Sequence, residues 1–256
     1  MLRTIQTGYT GLLAYQRQMD NVGNNIANIN TTAYKKDKVS FSEVISQKIG
    51  DTGVSVVSEN KDINTNITNG VKVARSGKVF DQGVLKETKR SLDLAIDGQG
   101  FFKVLDDNGN AFYTRDGNFS TDKEGNFVTA NGYYLEGLSN TELTNTKEIL
   151  ISKNGVVDVV TNDGSKTNIG SIKLYDFVNR GQLTPEGENL FTYPQEKEGV
   201  TIEGNGKIRQ GYLEQANVNL VDEMSDLITA QKAFSFSAKA ITTADQMWQM
   251  TNNLRR

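Results

Sequence analysis

The chain has no cysteine and no histidine. Disulfides, zinc sites built on thiolate or imidazole, cysteine nucleophiles and Ser-His-Asp triads are therefore excluded. Proline is scarce: Pro185 and Pro194 are the two in 256 residues, so long stretches carry nothing that breaks a helix or a β ladder through its ring. No apolar run approaches the ~18 residues of a membrane span. Thr4, Gln6, Thr7 and Gly8 interrupt the uninterrupted apolar core that a cleavable signal peptide needs. A formal net charge of −3 argues against nucleic acid as a partner, since phosphate binding requires a concentrated basic surface. The short basic runs Tyr34–Lys38 and Lys86–Arg90 are expected to be solvated loops. With 36% hydrophobic and 23% charged residues, the chain has the composition of a globular protein, not a disordered one.

What is present is concentrated at the two ends. Leu2, Ile5, Tyr9, Leu12, Tyr15, Met19, Val22, Ile26 and Ile29 recur at steps of three and four. So do Leu220, Met224, Leu227, Gln231, Phe234, Ala238, Ile241, Asp245 and Trp248. Such spacing places one row of side chains along one side of a helix. The first helix is predicted to end near Asn28–Thr32, where turn-preferring residues take over. The last is predicted over Asn219–Leu254, capped by Asn219 with Asp222 and Glu223 in its first turn, and about 54 Å long at 1.5 Å per residue. Val221, Ile228, Phe236, Ala240, Ala244, Met247 and Met250 lie outside its single row. A helix apolar over most of its circumference is buried on several sides, which predicts that copies of the chain surround it.

Between the ends the pattern is β. Alternation in Val71–Val73, Leu92–Ile96 and Ile172–Phe177 marks strands. Asp97-Gly98, Asn108-Gly109, Asp116-Gly117, Asn131-Gly132, Asn154-Gly155 and Asp163-Gly164 supply the positive φ angles of tight turns. The expected fold is α+β: a mainly antiparallel, barrel-like central domain, with a sandwich as the alternative, and long terminal helices that form a discontinuous, coiled-coil-like domain. The expected divisions are 1–32 (first helix), 33–70 (extended connection), 71–215 (β domain) and 216–256 (last helix). Trimming about forty residues from each end is expected to leave a folded β domain, because isolated amphipathic helices gain most of their stability from packing. The polar excursion 47–70 is too long for a plain connector and is expected to lie against neighbouring subunits as a stiffening element.

Motifs that would carry chemistry fail on inspection. Gly98-Gln-Gly100 lacks a third glycine and a following helix, so it reads as a turn and not a dinucleotide loop. Gly204-Asn-Gly206-Lys207 has Thr201 and Ile208 where a P-loop needs Gly and Ser or Thr. Asp106, Asn108 and Asn110 alternate as in a calcium loop, but Ala111 stands at the glycine position. The expectation is a chain with no catalytic residue, no metal, no cofactor and no small-molecule substrate. It reads as an assembly protein and not an enzyme.

The segment Thr10–Lys35, with Asn24-Asn25-Ile26-Ala27-Asn28 at its centre and Tyr34-Lys35 at its end, resembles the N-terminal signature of the bacterial flagellar rod and hook protein family. The resemblance continues through Ala95–Phe102, Tyr113–Phe119, Gly187–Phe191, Gly211–Asn219 and Ala244–Met247. The family usually has glycine where this chain has Ala33, which leaves a left-handed backbone at Ala33 open. Length and a single middle domain resemble members of the distal rod best, with a proximal rod or hook-type subunit as the rival. A secreted adhesion or binding module with oligomerising helices is the alternative from another class.

The resemblance implies export without a cleaved signal, through the flagellar type III apparatus, to the basal body. There the subunits polymerise helically with themselves and with other rod and hook proteins, and transmit torque. It implies that Leu12, Leu13, Met19, Asn24, Asn25, Ile26, Ala27, Asn28, Leu220, Met224, Leu227, Phe234, Ile241, Met247, Trp248 and Leu254 serve subunit assembly. Phe41 and Ile45 fit a pattern proposed for docking at the export gate.

Overall fold

The computed structural model describes residues 2–43, 46–48, 66–68, 70–122, 124–138, 146–162, 165–193, 200–202 and 205–254. They divide into two compact units. A helical unit gathers Met1–Ala27, Asp37–Gly77 and Asn219–Arg256, and a β unit gathers Asn28–Lys36 and Lys78–Val218.

In the helical unit, α1 (Leu2–Ala27) packs against α2 (Leu220–Leu254). Gly8 lies against Ile241 and Gly11 against Ser237, while Asn25 reaches Glu223, so the helices run antiparallel. A Cβ built on Gly8 would stand 2.8 Å from Ile241 Cγ1, which is closer than side chains tolerate. These glycines bring the two backbones together. Asn219 caps α2 by accepting from the Val221 N–H at 3.0 Å.

The row that α2 turns inward is Glu223, Leu227, Ala230, Phe234, Ser237, Ile241 and Ala244. It shares Leu227, Phe234 and Ile241 with the expected row, but Leu220, Met224, Gln231 and Asp245 are exposed. Small residues at 230, 237 and 244 select this face, because they permit close approach where a row of large ones does not. Tyr9, expected inside, is exposed as well.

The strand Val71–Lys78, expected to open the β domain, pairs instead with Asp37–Glu43. The ring of Phe41 on the latter lies 6.1 Å from that of Tyr15 on α1. Ser46–Lys48 pairs with Asn66–Thr68. Ile45 and residues 49–65, which hold most of the expected stiffening excursion, lie outside the described residues.

All strand pairings with a described register are antiparallel. The largest sheet of the β unit runs Thr184–Gly187, Leu190–Thr192, Ala111–Thr114, Phe101–Leu105, Tyr134–Leu135, Phe127–Thr129, Phe119–Thr121. Leu174–Phe177 also pairs with Phe101–Leu105 and carries Val200–Ile202. Thr146–Ile151, Val156–Thr161 and Lys166–Ser171 form a second sheet.

Strand alternation divides the core in two. Phe102 and Val104 enter a cluster with Leu94, Ile96, Phe119, Val157 and Ile208. Phe101, on the opposite face of the same strand, enters an aromatic cluster with Tyr113, Phe177 and Phe191. Edge-to-face rings hold the second cluster, Phe101 lying 5.7 Å from Phe80 and 5.6 Å from Phe177.

Gly109, Gly132 and Gly155 take positive φ as their turns require. Gly117 does not. It is needed because any side chain there would collide with the Leu94 carbonyl. Asp163-Gly164 lies outside the described residues.

Candidate functional site

The expected assembly residues occupy three kinds of place. Leu13, Asn24, Ala27, Leu220, Met224, Met247, Trp248 and Leu254 are exposed on the helices. Leu12, Met19, Ile26, Leu227, Phe234 and Ile241 are half-buried in the helical unit, and Asn28 is half-buried in the β unit. Asn25 is fully buried. Phe41 is exposed on its strand.

Ala244, expected outside the single row of α2, is buried. The large apolar residues of α2 with least cover are Leu254, 88% exposed, Val221 at 72% and Phe236 at 67%. A fully buried apolar side chain of this size is worth about 1.5–3 kcal/mol relative to an exposed one. One face of α2 thus holds several such gains in reserve for whatever covers it.

Asn25 is the structural centre of the Asn24–Asn28 run. Its side-chain carbonyl accepts from the Asp37 N–H at 3.0 Å, and its amide donates to the Asp37 carbonyl at 3.0 Å and to Glu223 Oε2 at 3.1 Å. A side-chain amide is suited to this, since it donates and accepts at one site. Glu223 lies in the first turn of α2, as expected, where its charge suits the helix dipole. It is buried and bonded across the helix pair, a role that periodicity does not reveal because the partner lies 198 positions away.

The first basic run is not a solvated loop, whereas in the second residues 88–90 are loop and Lys86, Lys89 and Arg90 are exposed, as expected. Tyr34 and Lys35 are buried in the β unit. Lys35 Nζ sits 2.6 Å from Glu214 Oε1, and Arg115 Nη1 lies 3.3 Å from Glu214 Oε2. Glu214 also accepts from the Gly83 N–H at 2.8 Å, and Lys35 donates to the Asp81 carbonyl at 2.8 Å. Burial pulls both cations below their ordinary values, against the opposite pull of Glu214. In the second run, Lys86 lies in strand Leu85–Glu87, and Arg90 donates to Asn118 and to the Phe119 carbonyl, both at 2.9 Å. Charges enter a protein when partners satisfy them; a short basic run does not show whether its partners exist elsewhere in the chain.

Ala33 resolves the open question about its backbone. It is left-handed at φ +55°, and its N–H donates to the Glu214 carbonyl at 2.8 Å. The bend aims Tyr34 and Lys35 into the β unit. Beside it, Thr32 donates to Asp116 Oδ1 at 3.2 Å and accepts on its carbonyl from Asn189 at 2.7 Å. These residues border an open cleft of about 490 Å³ with a mixed polar and apolar lining. Burial pushes the Asp116 carboxyl above its ordinary value. Among the described residues no group of acidic side chains is arranged to hold a metal ion.

Three stretches match known families in chain order. Residues 5–35 match the flagella basal body rod protein, residues 95–159 the flagellar hook protein FlgE/F/G D1 domain, and residues 209–254 the flagellar basal body rod FlgEFG protein C-terminal. The chain is 35% identical over 264 residues to the flagellar basal-body rod protein FlgG of Borreliella burgdorferi, with 100% of each chain covered. To that of Bacillus subtilis it is 32% identical over 265 residues, again with 100% of each covered. It is also 33% identical over 272 residues to the flagellar hook-basal body complex protein FlhP of Bacillus subtilis, with 100% of each covered. Similarity of this extent, running through both terminal helices and the β unit, shows that the chain belongs to the FlgG-type flagellar basal-body rod proteins, structural subunits of the extracytoplasmic distal rod.

Proposed function

We propose that copies of this chain stack helically into the distal segment of the rod, with α1 and α2 lining its inner wall. In this arrangement the shaft joins other rod and hook proteins and carries torque by contact alone. One observation carries the reading: a 35-residue helix whose outer side leaves Val221, Phe236 and Leu254 mostly exposed in the single chain. A large uncovered apolar face marks an interaction surface. Repeated head-to-tail contacts that do not close generate open filaments.

Phe236→Glu tests this. It should leave the melting of the monomer unchanged and abolish rod formation, because an unpaired carboxylate in an apolar interface costs several kcal/mol at every subunit. Phe234→Glu, half-buried beside α1, should lower melting as well. Normal rods from Phe236→Glu would refute the helical-wall reading.

Export through the flagellar type III apparatus is part of the same proposal, with Phe41 and Ile45 as the docking pair. Phe41→Ala should reduce the secreted amount, and by more than Tyr15→Ala, which removes the same ring contact from the folded chain. The FlhP likeness supports a second reading, in which the subunit sits elsewhere in the hook-basal body complex. Electron cryo-microscopy of isolated basal bodies distinguishes the two by the segment in which this chain appears.

A further inference from the structure

The chain passes between the helical and the β unit at four places: Ala27 to Asn28, Lys36 to Asp37, Gly77 to Lys78, and Val218 to Asn219. A single crossing strand is torsionally soft, since each residue contributes two freely turning dihedrals. Two asparagines lie beside these crossings in sequence, one in each unit. Within the β unit, the Asn217 side chain accepts from the Lys36 N–H at 2.7 Å and donates to the Val79 carbonyl at 2.7 Å and the Asp81 carbonyl at 3.1 Å. Its own N–H reaches the Tyr34 carbonyl at 3.3 Å, and the Val79 N–H donates to the Lys36 carbonyl at 2.9 Å. Three of the crossings are thereby tied together within two residues of where they leave. Within the helical unit, Asn25 ties the end of α1 to both backbone groups of Asp37 and to Glu223 near the start of α2. That again joins three crossings, close to where they arrive.

We propose that Asn25 and Asn217 are positioning residues for torque transmission. Each fastens three crossing strands into one bundle, so that a turning force on one unit is passed through strands that move together. A side-chain amide fits the task because one group both accepts and donates without itself carrying a charge. Neither residue needs to touch a neighbouring subunit, which separates this role from that of the exposed helix face. The inference rests on the reading of the chain as a load-carrying rod subunit.

The test uses full-length chain in assembled rods. Asn217→Ala and Asn25→Ala should still give rods, but with at least a twofold wider spread of axis bending in electron micrographs and a matching loss of rotation speed under viscous load. Val157→Ala, a buried position remote in sequence from every crossing, serves as the control. It should lower melting by a similar number of degrees and leave the rods straight. Equal straightness in the asparagine variants, or equal softening by Val157→Ala, overturns the proposal.

If either variant fails to assemble, hydrogen exchange on the unaltered chain decides. The Lys36 and Val79 amides should open together at one rate, and independent opening overturns the clamp. Failure of the unaltered chain itself to form rods would strike the proposed function, whereas unchanged stiffness in the variants strikes the clamp alone.

Discussion

Lys35 and Glu214 meet at 2.6 Å with both side chains fully enclosed, although 179 positions separate them. Arg115 closes the cluster from the other carboxylate oxygen, so two cations share one anion, and Arg115 Nε has no hydrogen-bond partner among the described residues. The two partners of Glu214 are therefore unequal to it in importance. Glu214→Gln leaves two buried cations facing each other and should cost about 3–5 kcal/mol. Lys35→Met leaves a neutral Arg115–Glu214 pair and fills the space with an unbranched apolar chain, so it should change stability by no more than about 1 kcal/mol. Urea denaturation of the monomer measures both, and equal losses would contradict this asymmetry.

The same cluster sets where the chain can be cut. A fragment spanning residues 28–218 keeps Tyr34, Lys35 and Glu214 and should melt cooperatively. Removing forty residues from each end takes away Tyr34 and Lys35, both buried in the β unit, and exposes Glu214. That shorter fragment should melt markedly lower or fail to fold, as circular dichroism on the two fragments would reveal. The wider trimming expected from periodicity alone removes core residues along with the helices.

Two glycines of α1 should respond in opposite directions. Gly23 has open space where a Cβ would go, so Gly23→Ala should stabilise the helix by about 0.5–1 kcal/mol. Gly8 faces Ile241 at close range, so Gly8→Val should force the helices apart and reduce the yield of rods. Thermal melting and rod counts in micrographs give the two signs.

Glu136 accepts from Lys103 Nζ and from the Tyr175 hydroxyl, each at 2.6 Å. Burial by itself would push the Glu136 carboxyl up, but these two donors and the charge of Lys103 outweigh it, and the group lies below its ordinary 4.5. A depressed carboxyl contributes stability that is present above its unfolded value and lost as pH falls through the folded one. Glu136→Gln should therefore flatten the acid limb below about pH 4.5.

Burial and the bond to Glu136 push the Tyr175 hydroxyl above its ordinary 10.0. Its contribution is complete below about pH 10 and lost as pH rises through the raised value. Tyr175→Phe should flatten that alkaline loss. Urea midpoints across the pH range test both limbs, and an unaltered limb in either variant counts against the pair.

Local spacing was enough to reveal the two helices and most strand turns, because helical and β periods are written in neighbouring residues. Asn108-Gly109, Asn131-Gly132 and Asn154-Gly155 were legible for that reason, and so was the cap at Asn219. The absence of histidine and cysteine removed whole classes of chemistry before any fold was considered. The tertiary structure alone decided which face of α2 turns inward, since a helix apolar on several sides has no single preferred row until Gly8 and Gly11 let one face approach. It also decided that Lys35 is core and not loop, that strand Val71–Lys78 belongs with the helices, and that Glu223 is buried against Asn25. Each of these depends on a partner distant in sequence. Burial and charge satisfaction are properties of what surrounds a residue in space, which the period of its neighbours along the chain does not encode.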